Sequence, residues 1–166
     1  MQEQKERTIL AAEPLTMLSQ VFPTDLNPYG SMFGGKVVAL MDVCAGLCVM
    51  RWCHRSAVTA SIDAIQFHAP IRQGQMIEVI ARIVYVGRTS CVVKCVVDAH
   101  DLLSSDRFYC CEGYFNMVGI DVHGKPTVLP LIPVETEAER EEWTHAQAIK
   151  ESMLARRERS GKTPRV

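Results

Sequence analysis

The sequence predicts an α+β fold, in which one antiparallel sheet of five to six strands wraps round a single long buried helix and a second helix follows at the C-terminus. Residues 36–53 contain no proline and are apolar on every side, which predicts the buried helix. Later segments alternate with a period of two and are joined by connectors too short for parallel crossovers. The chain has 166 residues, 48% of them hydrophobic, which suits one domain with its own core.

The N-terminal half of the predicted domain contains a strand, a loop and the helix. The first strand is predicted at residues 17–22 because Pro23 ends it. A loop rich in turn-forming residues follows and ends at Gly35. Residues 36–53 are predicted to form a helix roughly 27 Å long, because a strand of about 18 residues would be unusual. A helix that is apolar all round is expected to be buried all round.

The strand predictions rest on alternation of period two. In the first of these segments Val58 and Ile62 alternate with Thr59 and Ser61. Short turns separate the strands and permit antiparallel pairing. The predicted strands cover residues 57–67, 76–86, 90–99 and 107–120.

A change of composition after Pro133 marks the C-terminal helix. Thr136 and Glu139 have the spacing of a capping box, and residues 137–159 are acidic early and basic late, as the helix dipole favours. We expect Gly161 to end this helix. Its thin apolar stripe either packs on this chain or forms an oligomer contact. The predicted division is an N-terminal arm at 1–14, the sheet-and-helix domain at 15–132, and a C-terminal helical extension and tail at 133–166.

Composition and charge exclude several classes of function. The formal net charge is −1, which gives no electrostatic case for nucleic acid or an anionic membrane surface. We expect no membrane insertion, because Asp42 interrupts the longest apolar stretch. A polar N-terminus predicts a cytoplasmic protein whose 7 cysteines are reduced thiols. Cys44 and Cys48 share one helix face, which allows either a metal site or core packing, and packing is favoured because no CxxC motif is present.

Two local features could carry chemistry. Asp42 is the lone carboxylate of the apolar helix, so it is either a buried acid satisfied by hydrogen bonds or a general base or nucleophile. Gly34 and Gly35 precede the helix, where free N–H groups favour an anion or a developing oxyanion, although loop flexibility alone would also explain them. The segment that ends at Lys36 nearly forms a P-loop, but Val37 stands where Ser or Thr should bind magnesium.

A set of linked motifs resembles the hotdog-fold acyl-CoA thioesterases, in particular the bacterial short-chain group related to the brain-type acyl-CoA hydrolase. The pattern N-x-x-G-x-x-F-G-G begins at Asn27 and is followed by an acid on the helix at Asp42. The resemblance covers about residues 17–142 and implies hydrolysis of an acyl-CoA thioester to CoA and a free acid. It implies Asp42 as the catalytic carboxylate, Asn27 as its partner, and Gly34 or Gly35 as the amide that polarises the carbonyl.

The same resemblance implies how the substrate binds. It assigns Gly87, Arg88, Thr89 and Ser90 to the neighbourhood of the CoA phosphates and pantetheine. Thr59 and Ser61 lie in a further segment that looks like this group and are predicted to contact the substrate. No metal or redox cofactor is implied, and CoA enters as part of the substrate. The alternative function is a non-catalytic regulator that binds acyl-CoA on the same scaffold.

Helix geometry adds an independent expectation about assembly. Gly34 and Asp42 are about 12 Å apart along a helix, so one thioester carbon cannot touch both within one chain. If both act on it, they come from different subunits. The resemblance implies the same arrangement, with dimers whose sites lie at the subunit boundary and a hexamer built as a trimer of dimers.

Overall fold

The computed structural model describes residues 7–159 and confirms the predicted fold class. One antiparallel sheet of five strands lies between two helices. The sheet order is β1-β3-β4-β5-β2, so β1 and β2 form its two edges. The elements are β1 (Leu15–Gln20), α1 (Gly34–Cys53), β2 (Ser56–Phe67), β3 (Met76–Val86), β4 (Ser90–His100), β5 (Arg107–Ile120) and α2 (Glu137–Arg159), with a short 3-10 helix at Pro23–Asp25.

The predicted boundaries hold to within two residues for most elements. The first strand starts and ends two residues earlier than predicted, because Gln20 pairs with Met76, where β3 begins. Helix α1 also includes Gly34 and Gly35. It ends at Cys53 because His54 adopts a left-handed backbone conformation with φ 52 and donates its N–H to the Met50 carbonyl.

Within a single chain, α1 is buried on one side only, which differs from the expectation that it is buried all round. Its inner side packs on the sheet, and Met41, Cys44 and Ala45 are fully buried there. Its outer side carries an apolar stripe in which Val43 is 52% and Leu47 is 43% exposed. The physical reason is that one five-stranded sheet can cover only one side of a helix, so the other side needs a further surface.

Helix α2 packs on the opposite face of the sheet. The predicted capping box is confirmed, since Glu139 accepts the Thr136 N–H at 2.9 Å and donates its own N–H to Thr136 Oγ1 at 3.2 Å. The apolar stripe faces this chain's own sheet, where Ala146 is fully buried and the Trp143 ring lies 4.8 Å from the Tyr85 ring. The stripe is therefore a packed face within the chain. The expected end at Gly161 lies outside the described residues.

The cysteines act as small core residues, as the packing interpretation predicted. All seven are free and buried. Among residues 7–159, no group of three or more histidine, cysteine, aspartate or glutamate side chains is arranged to hold a metal ion. No helix in this range is both long and apolar enough to cross a membrane.

Candidate active site

Asp42 projects from α1 toward β2 and is half-buried. The Thr59 hydroxyl donates a hydrogen bond of 2.6 Å to Asp42 Oδ1 and lies 3.3 Å from the sulfur of Met117. Strand β2 follows α1 after two residues, so the start of the strand lies beside the second half of the helix. Within the described residues Asp42 has no other hydrogen bond and no salt bridge. Its second oxygen is therefore free to accept a proton or attack a carbonyl.

A β-bulge separates Thr59 from Ser61. Thr59 pairs with Met117 and Ser61 pairs with Asn116, so Ala60 is an extra residue in β2. The bulge turns Ser61 to the other face of the sheet, where its hydroxyl lies 3.3 Å from the sulfur of Met153 in α2. The structure therefore brings Thr59 to Asp42 but does not bring Ser61 there.

The N-terminus of α1 presents free backbone donors. Phe33 precedes the helix, and no side chain caps it. Among the described residues, the Gly34 and Gly35 amides donate to no backbone carbonyl outside the helix. A Cβ at Gly35 would lie 2.5 Å from the Phe33 ring, which would have to move, and a Cβ at Gly34 would lie in tight contact with the Phe67 ring at 3.3 Å. The two glycines thus allow close approach to the helix terminus.

Lys36 is not free to bind a phosphate in the manner of a P-loop. Its ammonium group lies 2.8 Å from Asp25 and donates to the Thr24 carbonyl. The hydrogen bond from Lys36 lowers the pKa of Asp25. The Lys36–Asp25 ion pair connects the 3-10 helix to the first turn of α1, and the loop that carries Asn27 lies between these two elements.

Asn27 folds the loop before the helix. Its side-chain oxygen accepts the Tyr29 amide at 2.9 Å and the Ser31 amide at 3.3 Å, while its side-chain nitrogen donates to the Ser31 hydroxyl at 3.0 Å. The loop borders a cavity of about 350 Å³ next to the start of α1. The cavity is lined by Asn27, Ser31, Met32, Val37, Phe67, His68, Ala69, Pro70 and Ile71.

Asp42 is not among the residues that line this cavity. The predicted site residues therefore form two separate groups within one chain. One group is the Asn27 cavity with the N-terminus of α1, and the other is the Asp42–Thr59 pair. His68 joins the first of them and stacks on Tyr109 at 5.0 Å between ring centroids. Sequence analysis could not identify His68, because this residue lies outside any motif with ligand or catalytic spacing.

The predicted CoA segment forms the turn between β3 and β4. The Gly87 amide donates to the Ser90 carbonyl at 2.8 Å, and the Arg88 and Thr89 carbonyls accept amides from Leu129 and Gly119. The Arg88 side chain is exposed. The turn is thus a fixed hairpin end that offers a guanidinium and two hydroxyl groups.

Two further cations contact this turn, and the sequence analysis did not identify either. Arg7 donates to the Gly87 carbonyl at 2.6 Å and to the Leu129 carbonyl at 2.9 Å. Lys150 of α2 donates to the Ser90 hydroxyl. Both lie far from the turn in sequence, so spacing alone could not associate them with it.

Comparison with known sequences places the chain beside thioester hydrolases. Residues 29–103 match the family model described as the thioesterase superfamily. A Helicobacter pylori protein named VdlD is 35% identical over 89% of this chain and 84% of its own. The cytosolic acyl coenzyme A thioester hydrolase of Rattus norvegicus is 32% identical over 90% of this chain, but the match spans only 42% of that protein.

Solved structures give the same result. A structure described as an apo-hexameric acyl-CoA thioesterase superposes with a TM-score of 0.84 at 33% identity, covering 90% of this chain and 97% of that one. An acyl-CoA hydrolase from Staphylococcus aureus, in complex with butyryl coenzyme A, coenzyme A and coenzyme A disulfide, superposes with a TM-score of 0.81 at 30% identity, covering 89% and 90%. Three variants of that enzyme carry alanine in place of an asparagine, an aspartate or a threonine, spaced along its chain as Asn27, Asp42 and Thr59 are here.

Proposed function

Because this chain belongs to the thioesterase superfamily, we propose that it hydrolyses acyl-CoA thioesters to free CoA and a carboxylic acid. The observation that carries the proposal is the Asp42 carboxylate, which Thr59 holds through one oxygen while the other oxygen is free. A relative named as an acyl coenzyme A thioester hydrolase and a structure with bound coenzyme A support the substrate class. We propose residues 15–132 as the extent of the catalytic domain.

Asp42 can act in either of two ways. As a general base it takes a proton from water, the hydroxide adds to the thioester carbonyl, and CoA leaves as the thiolate. As a nucleophile it attacks the carbonyl and expels CoA as the thiolate, which leaves a mixed anhydride; water then hydrolyses the anhydride, releasing the acid and restoring the Asp42 carboxylate. In both routes negative charge develops on the carbonyl oxygen, and the Gly34 or Gly35 amide would stabilise it. Asn27 would position the water or the substrate carbonyl.

We propose that the complete site lies between two copies of this chain. Within residues 7–159 strand β2 is an edge of the sheet, because it pairs with β5 and with no second strand there. If two β2 edges pair antiparallel about a two-fold axis, the Thr59 end of one strand lies beside the Phe67 end of the other. That pairing brings Asp42 of one chain toward the Asn27 cavity and helix N-terminus of its partner.

The exposed apolar surfaces support this assembly. Val58 and Ile62 of β2 are 47% and 40% exposed, and the outer stripe of α1 is also open. Contiguous apolar surface of this kind is typical of subunit contacts. The hexameric thioesterase that superposes on this chain supports a hexamer as the full assembly, which we propose to be a trimer of dimers. We further propose a cytoplasmic location, which the cytosolic relative supports, and a reaction that needs no metal or redox cofactor.

A thiol-release assay with a panel of acyl-CoA substrates tests this proposal. We expect the wild-type protein to release CoA, and Asp42→Asn to lower kcat at least about a hundredfold while preserving fold and oligomer size. Glu141→Gln, which makes the same chemical change on an exposed position of α2, serves as the control. Near-native turnover in Asp42→Asn would remove the carboxylate from the mechanism. Acyl-CoA binding without thiol release in the wild type would favour the regulator.

A further inference from the structure

Lys150 of the C-terminal helix lies directly against the turn formed by residues 87–90. Its ammonium group donates to the Ser90 hydroxyl and lies 5.2 Å from the centroid of the Tyr85 ring. Gly87 leaves the room for it, because a Cβ at that position would lie only 2.7 Å from the Lys150 nitrogen. The Lys150 ammonium group therefore lies against both Gly87 and Ser90 of the turn.

No acidic group of the described residues balances this charge. Lys150 forms no salt bridge within residues 7–159, and burial lowers the pKa of its ammonium group. Arg88 and Arg7 add two more cations at the same turn, and the Arg88 and Thr89 amides donate to no backbone carbonyl in the described part of the chain. The cationic side chains of Arg88 and Lys150, together with free amides and hydroxyl groups and without a carboxylate, form a donor set suited to a phosphate.

We propose that Lys150 binds a phosphate of the CoA nucleotide together with Arg88, so that α2 forms part of the coenzyme site. The inference rests on the proposed function, because it takes CoA as the ligand. A phosphate beside Lys150 offsets the cost of holding a half-buried ammonium group that has no acidic partner among the described residues. Arg7 is already held by three backbone carbonyls, so it acts as a support for the turn and leaves Lys150 and Arg88 as the phosphate donors.

Direct titration of CoA into variants tests the role of Lys150. Lys150→Met keeps an unbranched side chain of similar length but removes the charge, and we expect it to weaken CoA binding about tenfold. Lys150→Arg should retain affinity within about threefold, because the charge remains. Arg159→Met is the matched control, since that side chain is exposed on the same helix and, among the described residues, donates to its own helix backbone at Ala155 and to no other group. Melting temperatures of all variants check that the helix stays docked.

Substrate truncation separates the phosphate contact from a structural role. With an acyl-pantetheine thioester, which lacks the nucleotide, Lys150→Met should have the KM of the wild type. The inference would be overturned if Lys150→Met raised KM equally for acyl-CoA and acyl-pantetheine. It would also be overturned if the affinity of Lys150→Met for CoA stayed within twofold of wild type. Because titration needs no turnover, CoA binding that depends on Lys150 in a protein without hydrolysis would contradict only the proposed function. Absence of any CoA binding by the wild type would contradict both.

Discussion

The hydroxyl of Thr59 should determine how well Asp42 acts, which a matched pair of substitutions can test. Thr59→Val keeps the shape of the side chain and removes the donor, whereas Thr59→Ser keeps the donor and removes a methyl group. The hydrogen bond from Thr59 to Asp42 is 2.6 Å long, which is typical of a bond to a charged acceptor. Such bonds contribute about 1.5–3 kcal/mol, so a carboxylate released from this position should lose roughly tenfold to a hundredfold in kcat.

Steady-state thiol release with one acyl-CoA substrate measures this effect. We expect Thr59→Val to lower kcat by that factor with little change in KM, because the hydroxyl positions the carboxylate and not the coenzyme. Thr59→Ser should stay within about threefold of wild type. Thr144→Val, on an exposed position of α2, is the control for loss of a hydroxyl. Native kcat in Thr59→Val would refute the positioning role, and equal losses in both Thr59 variants would indicate a packing defect instead.

Three further predictions concern assembly, coenzyme binding and the thiols. Mixing inactive Asn27→Ala and Asp42→Ala proteins should restore part of the thiol-release activity, because some sites then combine an intact Asn27 from one chain with an intact Asp42 from the other. If subunit exchange is verified and no activity returns, the site is not shared between chains. Arg88→Ala should raise KM for acyl-CoA roughly tenfold at low salt, with kcat intact, and leave KM for an acyl-pantetheine unchanged. Burial raises the pKa of Cys44 and of Cys111 to about 11. At pH 8 an alkylating reagent should therefore label the native protein slowly, and it should label all seven cysteines after denaturation. Rapid labelling of the native protein would contradict the burial of these thiols.

Both helices could be predicted closely from the sequence, because their ends or their length carry clear signals. The C-terminal helix spans Glu137–Arg159, as predicted, because a capping box marks its start and its charges follow the helix dipole. Helix α1 could be placed because only a helix accommodates so long a proline-free apolar run. The apolar composition of α1 also singles out Asp42, because a carboxylate in such a helix needs either a hydrogen-bonding partner or a chemical role.

The side of the sheet that a β2 residue faces could not be predicted from alternation alone. A strict period of two would place Thr59 and Ser61 on one face, but the bulge at Ala60 reverses the faces between them. The exposure of Val58 and Ile62 was also unpredictable, because an apolar residue in an edge strand can pack on its own chain or on a second one. Sequence pattern specifies that a surface is apolar and leaves open what covers it.

Lys150 shows a different limit, which concerns distance along the chain. The phosphate contact proposed for Lys150 depends on where α2 lies on the sheet. The buried residues Ala146 and Met153 determine that position, because they pack α2 on the outer face of the sheet. Ser90 lies 60 residues before it, in a turn that no local pattern connects to the helix. Asp42 is a carboxylate within one apolar element, so its own segment is enough to single it out as a candidate. A residue such as Lys150 gains its role from where two elements meet, and it becomes visible only when their contact is known.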